Sequence, residues 1–514
     1  MNAIKNKNQI KIAAIISYFA IFINILAGLI YTPWMIKQIG VSDYGLYTLA
    51  ISIIAIFTYD FGLGEAVSRF LSKFNVEKNF EGKSNFLGIT FKLYFVIDLI
   101  ILFGFIIIFL FSSTFFAELS IEELVKFRVV FVIAGLYALS SFPFQPFNGI
   151  LISDERFAFI KITELFHRIL TVVTMVVVLI LGYKLYALVI VNAISGLVVV
   201  IIKTIYINRN KLVKINFKNK DKDLLKQIFI FSGWTAVIGF ASRLTFSVSP
   251  TILAAVSGTI QITYFGIASI IEGYFFTFSS ALNGLFLPRV TQISYESNSS
   301  SSIKELMIKV GRIQFVVIGL LFAGFLSVGM EFLTLWLNKD YQIVYFTVLF
   351  LITPSLITLT QHIASTALIA QNLVKYRAIG MIIMGIISVG LSLPLSYYWG
   401  ALGSGIAISV GTFIGLIIYM NFIFSKKLKI NLKDFFKQVH LKMIFPFLLV
   451  IGFGIILNQL IKDYSWFTLL IKVVSISLVY GLFIWKLSLN DYEKDLIRLP
   501  VLKLYKTLKH RIKH

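Results

Sequence analysis

Runs of about twenty apolar residues recur along the whole 514-residue chain, and no other feature restricts its folding as much. Hydrocarbon offers no water to peptide groups, so each crossing segment must satisfy its own backbone as an α-helix of about 20 residues. A membrane β-barrel would need short segments of alternating polarity, and these are absent. Fifty-eight per cent of the residues are hydrophobic, 14% are charged and the mean hydropathy is +0.88. Ordinary globular chains carry about 25% charged residues. The expected class is an all-α polytopic membrane protein.

Fourteen apolar runs can be drawn, among them span 1 (12–33), span 2 (44–64), span 7 (226–250), span 8 (261–287), span 11 (376–398) and span 12 (401–424). The first run follows Lys5, Lys7 and Lys11 like a signal peptide. Its apolar stretch is too long for one and no small-residue cleavage site follows, so it reads as a membrane span. With fourteen spans, 37 of the 47 Lys and Arg residues fall on the side of the two termini and six on the other. That asymmetry predicts cytoplasmic termini. The net charge of +23 is then a topology signal and a contact with anionic membrane lipids, not a nucleic-acid surface. The tail 500–514, "VLKLYKTLKHRIKH" after Pro500, reads as a basic amphipathic helix on the inner leaflet.

There is no cysteine, and the five histidines show no metal-ligand pattern. No Walker motif is present, and the longest loops hold about 20 residues without a catalytic grouping. No catalytic residue, metal site or cofactor is therefore expected, and an enzyme is disfavoured. Any driving force would come from a proton or sodium gradient.

An internal echo narrows the architecture. Tyr44 and Tyr264, Gly64 and Gly284, and Arg69 and Arg289 are each separated by 220 residues. Span 1 shifts by the same amount into span 7. Parallel repeats are a mark of transporters that bind cargo between their halves. The expected domains are two six-helix lobes, 1–210 and 211–425, two appended helices, 426–487, and the tail, 488–514.

The stretch "IGVSDYGLYTLAISIIAIFTYDFGLGEAVSRF" (39–70) resembles the start of bacterial polysaccharide repeat-unit flippases of the Wzx type. "ITYFGIASII" (262–271) and "LFLPRVTQI" (285–293) are similar to the same family. These proteins belong to the multidrug/oligosaccharidyl-lipid/polysaccharide exporter superfamily. The resemblance implies a MATE-like, V-shaped pair of lobes in the bacterial plasma membrane. It also implies translocation of an undecaprenyl-pyrophosphate-linked oligosaccharide for O-antigen, capsule or exopolysaccharide synthesis. A polysaccharide polymerase and a chain-length regulator are the partners such a role would bring. A multidrug or cation antiporter and a lipid II flippase are the alternatives of related fold.

Charges within apolar runs cost about 2.5–3.5 kcal/mol at the bilayer centre, so each needs a reason. Arg243, in "FASRLTFSVSP", lies 17 residues beyond Lys226 and is expected in the outer half of the bilayer. One reading is a cavity cation for pyrophosphate, which guanidinium suits by its fixed charge and bidentate fork. The other is snorkelling, or a pair with Glu272 in span 8. An unneutralised Arg243 would repel a cationic drug, which favours an anionic cargo. Asn24 occupies the corresponding region of span 1. Glu272 reads as either the Arg243 partner or a coupling group.

Lys92 is a cavity candidate or a snorkelling lysine. Arg168 is a second cavity candidate, or half of an i, i+4 ion pair with Glu164. Lys472 reads as interfacial. Tyr264 is placed to stack on sugar, or belongs to an aromatic belt. In "YDFGLGEAVSRF", Asp60 is expected about one turn short of the inner interface and acts as a gate candidate with Gly62 and Gly64. Glu65 and Arg69 are expected at or beyond that interface, Arg69 helping to fix topology, and Arg69 and its repeat counterpart Arg289 are the further gate or hinge candidates.

Overall fold

The computed structural model describes residues 21–22, 25–218, 222–280, 286–294, 299–495 and 498. The amphipathic tail expected at 500–514 lies outside these residues. The described structure is helical, and no strand occurs among the described residues. Its longer helices are α1 (Ile25–Ile39), α2 (Val41–Phe57), α3 (Leu63–Val76), α4 (Phe80–Leu110) and α5 (Ile121–Ser141). They continue as α6 (Pro146–Ser153), α7 (Phe157–Ile180), α8 (Leu185–Arg209), α9 (Lys222–Phe246) and α10 (Thr259–Ser280). The last are α11 (Ser299–Trp336), α12 (Val374–Thr412), α13 (Lys442–Leu460) and α14 (Trp466–Leu487).

Among the described residues ten helices are long and apolar enough to cross a membrane, or eleven if the pair α1–α2, bent by 115°, counts as one crossing. The expected number of fourteen is not reached by this measure, for identifiable reasons. Part of span 1 lies outside the described residues. Expected spans 11 and 12 share the continuous stretch α12, which turns at Gly400 (φ 54°, ψ −131°). The helix of expected span 8, α10, is not among the ten. Span 2 is also revised, since it divides into α2 and α3 around a break at residues 58–62.

Contacts group the described residues into two units. Unit 1 is 1–269 with 378–411, and unit 2 is 270–377 with 412–514. These units are defined by packing, whereas the lobes anticipated above were defined by an internal repeat.

In unit 1, small residues let helices approach closely, as is usual where lipid supplies no hydrophobic drive between helices. A Cβ at Gly149 would lie 2.7 Å from Val67, so α6 seats directly on α3. A Cβ at Gly45 would run into the carbonyl of Thr259, which brings the starts of α2 and α10 together. Large apolar side chains such as Phe95, Ile100 and Phe103 on α4 remain exposed. They form the surface that hydrocarbon would cover.

Unit 2 is fastened by buried ion pairs. The Arg312 guanidinium on α11 donates to both carboxylate oxygens of Glu493 and to the carbonyls of Gln438 and Ser488. Higher on the same helix, Glu331 accepts from Lys472 of α14, and the two side chains are 3% and 0% exposed. The Tyr464 ring lies 5.7 Å from the Lys472 ammonium. Lys472 thus lies inside the protein and not on its surface. It is buried because Glu331 neutralises it, and it staples α14 to α11.

Removing one partner of a buried pair leaves an uncompensated charge, at a cost of about 3–5 kcal/mol. Lys472→Met is therefore expected to lower the melting temperature of the purified protein in detergent. The double variant Glu331→Leu/Lys472→Met is expected to recover most of that loss.

Candidate functional site

The break between α2 and α3 organises the polar interior of unit 1. Helix α2 ends at Phe57, and Phe61 and Gly62 both take left-handed φ values, 53° and 71°. Such a kink frees backbone groups that must be answered elsewhere. The Asp60 carboxylate accepts from the backbone N–H groups of Gly62 and Gly64, at 3.1 Å each. It thereby caps the first turn of α3, where the helix dipole also favours a negative charge. Gln145 donates to the carbonyl of Thr58 at 3.1 Å, and the Tyr59 hydroxyl donates to the carbonyl of Thr235 at 3.2 Å.

Helix α9 is shaped to receive this break. A Cβ at Gly239 would overlap the Tyr59 phenol, and one at Gly62 would lie 2.6 Å from the Thr235 hydroxyl. Phe61 stacks on Phe240 with ring centroids 6.3 Å apart. Gly62 therefore meets two demands, positive φ and close approach to α9.

Two cavities flank the break. One of about 480 Å³ is lined by Asp60, Glu65, Ser68, Arg69, Gln145 and Asn148, with Gly64, Gly149 and Ile152 completing the wall. Lys203 of α8 donates to the Asn148 carbonyl oxygen at 2.8 Å, adding a cation behind that wall. The other, of about 400 Å³, is lined by apolar side chains alone, including Phe61, Val237, Phe240, Leu244, Ile382 and Ile386. Consecutive residues, Asp60 and Phe61, thus face cavities of opposite character.

Helix α3 runs on to Val76 and carries both Glu65 and Arg69. They line a cavity in its first two turns.

Arg243 and Asp60, which the sequence set apart in depth, are brought to a common neighbour. Arg243 is exposed on α9, one turn beyond Gly239. Its charge acts on the Tyr59 phenol together with those of Asp60 and Glu65. Among the described residues of unit 1 Arg243 forms no salt bridge.

The other candidates are dispersed. Arg168 is exposed on α7, and its charge reaches Tyr31, Tyr47 and His167. Its expected pair with Glu164 does not form, because Glu164 accepts instead from Lys161 at 2.7 Å, one turn earlier on the same helix. Lys92 is half-buried on α4 and engaged in local interactions. Two residues on, the Tyr94 phenol lies within reach of the Asp60 charge. Tyr264 is half-buried on α10 and likewise engaged. Glu272 belongs to unit 2, half-buried and without a salt bridge among the described residues of that unit. Arg289 is exposed on the helix Leu287–Ser294, also in unit 2. Asn24 lies outside the described residues. Among the described residues no group of acidic and histidine side chains is arranged to hold a metal ion.

The structure adds residues that the sequence reading passed over. Gln145, at the N-cap of α6, and Asn148, on α6, line the polar cavity, and Lys203 of α8 backs it through Asn148. At the start of α5, Glu123 accepts from Ser42 and Thr259, the latter at 2.6 Å, and also closes a capping box with Ser120. The Thr263 hydroxyl donates to the Val41 carbonyl at 2.6 Å. Beside them Lys126 bridges Asp43 and Glu122, at 3.2 and 3.0 Å. Glu123 thereby ties together the first turns of α2, α5 and α10. Only the local Ser120-x-x-Glu123 spacing carries a signal for it in the sequence.

The chain has the fold of known membrane transporters. It is similar to the solved structure "Lipid II flippase MurJ, inward closed conformation", with a TM-score of 0.72, 19% identity, and coverage of 94% of this chain and 99% of that one. It is also similar to an inward-facing multidrug resistance MATE family transporter of the MOP superfamily, with a TM-score of 0.64, 15% identity, and coverage of 80% and 97%. The eukaryotic MATE transporter AtDTX14 matches with a TM-score of 0.56, 11% identity, and coverage of 83% and 97%. No curated protein matches the chain significantly in sequence. The class is thus a multi-pass membrane protein with a MATE/MurJ-type fold. Within it, the chain belongs to the polysaccharide biosynthesis protein family, whose model matches residues 12–294.

Loss of a capping carboxylate costs about 0.5–2 kcal/mol. Asp60→Ala is expected to destabilise the purified protein by about that amount, and Asp60→Asn, which keeps an acceptor, by less. Denaturant titration of α-helical circular dichroism in detergent micelles measures both.

Proposed function

We propose that this protein moves an undecaprenyl-pyrophosphate-linked oligosaccharide repeat unit from the inner to the outer leaflet of the bacterial plasma membrane. The cargo serves surface polysaccharide synthesis, and translocation proceeds by alternating access. Both termini are cytoplasmic in this reading, as the placement of Lys and Arg favours. Family membership and the transporter fold support the class of activity. One observation carries the choice of an anionic, sugar-bearing cargo. Among the described residues of unit 1 Arg243 forms no salt bridge, and it is exposed one turn beyond Gly239, which packs against Tyr59 next to a polar cavity of carboxylates, amides and a second guanidinium.

An exposed guanidinium on a membrane helix needs an anion or water beside it. Pyrophosphate supplies paired acceptors that match its fork. Sugar hydroxyls both donate and accept, and so match Asp60, Glu65, Gln145 and Asn148 together. Nothing in this transfer requires a bond to be made or broken. The driving force we assign is a proton or sodium gradient, with Glu272 as the coupling candidate. A polysaccharide polymerase and a chain-length regulator are the partners downstream.

The test is translocation of a fluorescent lipid-linked oligosaccharide in proteoliposomes, read by accessibility to a membrane-impermeant quencher. A hydrogen bond to a charged group contributes about 1.5–3 kcal/mol, so Arg243→Ala is expected to weaken transport about tenfold to a hundredfold. Arg243→Lys should retain part of it, keeping the charge without the fork. Unchanged transport in Arg243→Ala would remove the pyrophosphate role. Efflux of a cationic dye in place of lipid movement would support a multidrug antiporter.

A further inference from the structure

The apolar cavity beside the break has no part in binding sugar or phosphate, yet it is built from the same segment that lines the polar one. We infer that it receives the isoprenoid chain of the cargo next to the pyrophosphate, so that unit 1 holds one amphiphile across three zones. This rests on the reading of the cargo as a lipid-linked pyrophosphate.

Three observations carry it. First, consecutive residues serve the two cavities, Asp60 lining the polar one and Phe61 the apolar one. The left-handed φ of Phe61 is what turns that side chain away from Asp60 and onto Phe240. Second, Arg243 sits in sequence between Phe240 and Leu244, both of which line the apolar cavity, and its charge reaches Tyr59 beside the polar one. A polyprenyl pyrophosphate-linked sugar calls for apolar, cationic and polar surfaces, and residues 60–61 and 240–244 contribute all three.

Third, the apolar cavity is sized as a site. Its volume of about 400 Å³ lies within the range of about 300–1,000 Å³ typical of ligand pockets. Packing of α12 on α9 at Gly385, where a Cβ would lie 3.3 Å from the Ala241 carbonyl, fixes one wall. Ile386, 65% exposed, forms an open edge through which a long chain can continue into the bilayer.

The competing occupant is the acyl chain of an ordinary phospholipid, which would fill any apolar groove without regard to Arg243. The experiment separates the two. The full chain carrying Ile386→p-benzoylphenylalanine is placed in nanodiscs of phosphatidylethanolamine and phosphatidylglycerol with a trace of radiolabelled undecaprenyl pyrophosphate, and is irradiated.

We expect undecaprenyl pyrophosphate to be cross-linked about tenfold beyond its share of the lipid, the equivalent of about 1.4 kcal/mol of selectivity. Adding Arg243→Ala should abolish the enrichment. Phe240→Trp, which fills the cavity, should lower it while leaving the fold intact by circular dichroism. Cross-linking in proportion to mole fraction, unaffected by Arg243→Ala, overturns the inference. Should wild-type proteoliposomes still translocate lipid-linked oligosaccharide in that case, the transport reading stands and only the chain site falls. Should they translocate none, both fall.

Discussion

A membrane helix can be interrupted only where every backbone group set free finds another partner, and the rest of unit 1 is arranged around one such interruption. At residues 58–62 the donors of the first turn of α3 are met by Asp60, and the Thr58 carbonyl is met by Gln145. Those two side chains are also walls of the polar cavity. Helix α9 carries Gly239 because Tyr59 lies across it, and α6 carries Gly149 because α3 presses upon it. The cavity, the close helix contacts and the kink are therefore one structural solution. A polar pocket in this position is what remains once a kinked helix has satisfied itself with side chains.

Unit 2 meets the same demand by another route. Two of its charge pairs are deep, and they are closed on themselves. Arg312 is fully answered by Glu493 and two carbonyls, and Lys472 by Glu331. A charge that is already neutralised and desolvated has little left to offer a ligand. Arg243 differs in being exposed and, among the described residues of its unit, without a salt bridge.

The helical class was legible because it depends on long apolar runs, which need no knowledge of tertiary contacts. The kink was half legible. "DFGLG" marked a place where a helix could yield, whereas the fourteen-residue helix that follows it, α3, was not drawn as an element. Apolar-run boundaries follow mean hydropathy, and α3 is amphipathic, so its polar face looked like a loop. Side-chain partners were the least legible. Lys472 meets Glu331 across 141 residues. Glu123 meets Thr259 across 136. Even locally, Glu164 had cations at i−3 and i+4, and spacing alone gave no reason to prefer Lys161 over Arg168. Lys203 was counted with the basic loop that follows it, although it lies inside α8 and faces the cavity wall through Asn148.

The way the break is satisfied bears on how such a chain can change shape. In a continuous helix, bending costs backbone hydrogen bonds in the low-dielectric interior, where each is expensive to lose. Here those bonds are already replaced by side-chain bonds from Asp60 and Gln145, and Tyr59 adds one to the Thr235 carbonyl. Asp60 travels with α3, while Gln145 and the Thr235 carbonyl belong to neighbouring segments. Rotation of α3 about residues 58–62 keeps the cap, while the longer-range bonds, those of Asn75 to Ser153 and Asp154 among them, are strained at about 0.5–1.5 kcal/mol net each. Because Asp60 and Phe61 lie in that same hinge, any such rotation alters the polar and apolar cavities together. A helix broken in this way couples its bending to the contents of both.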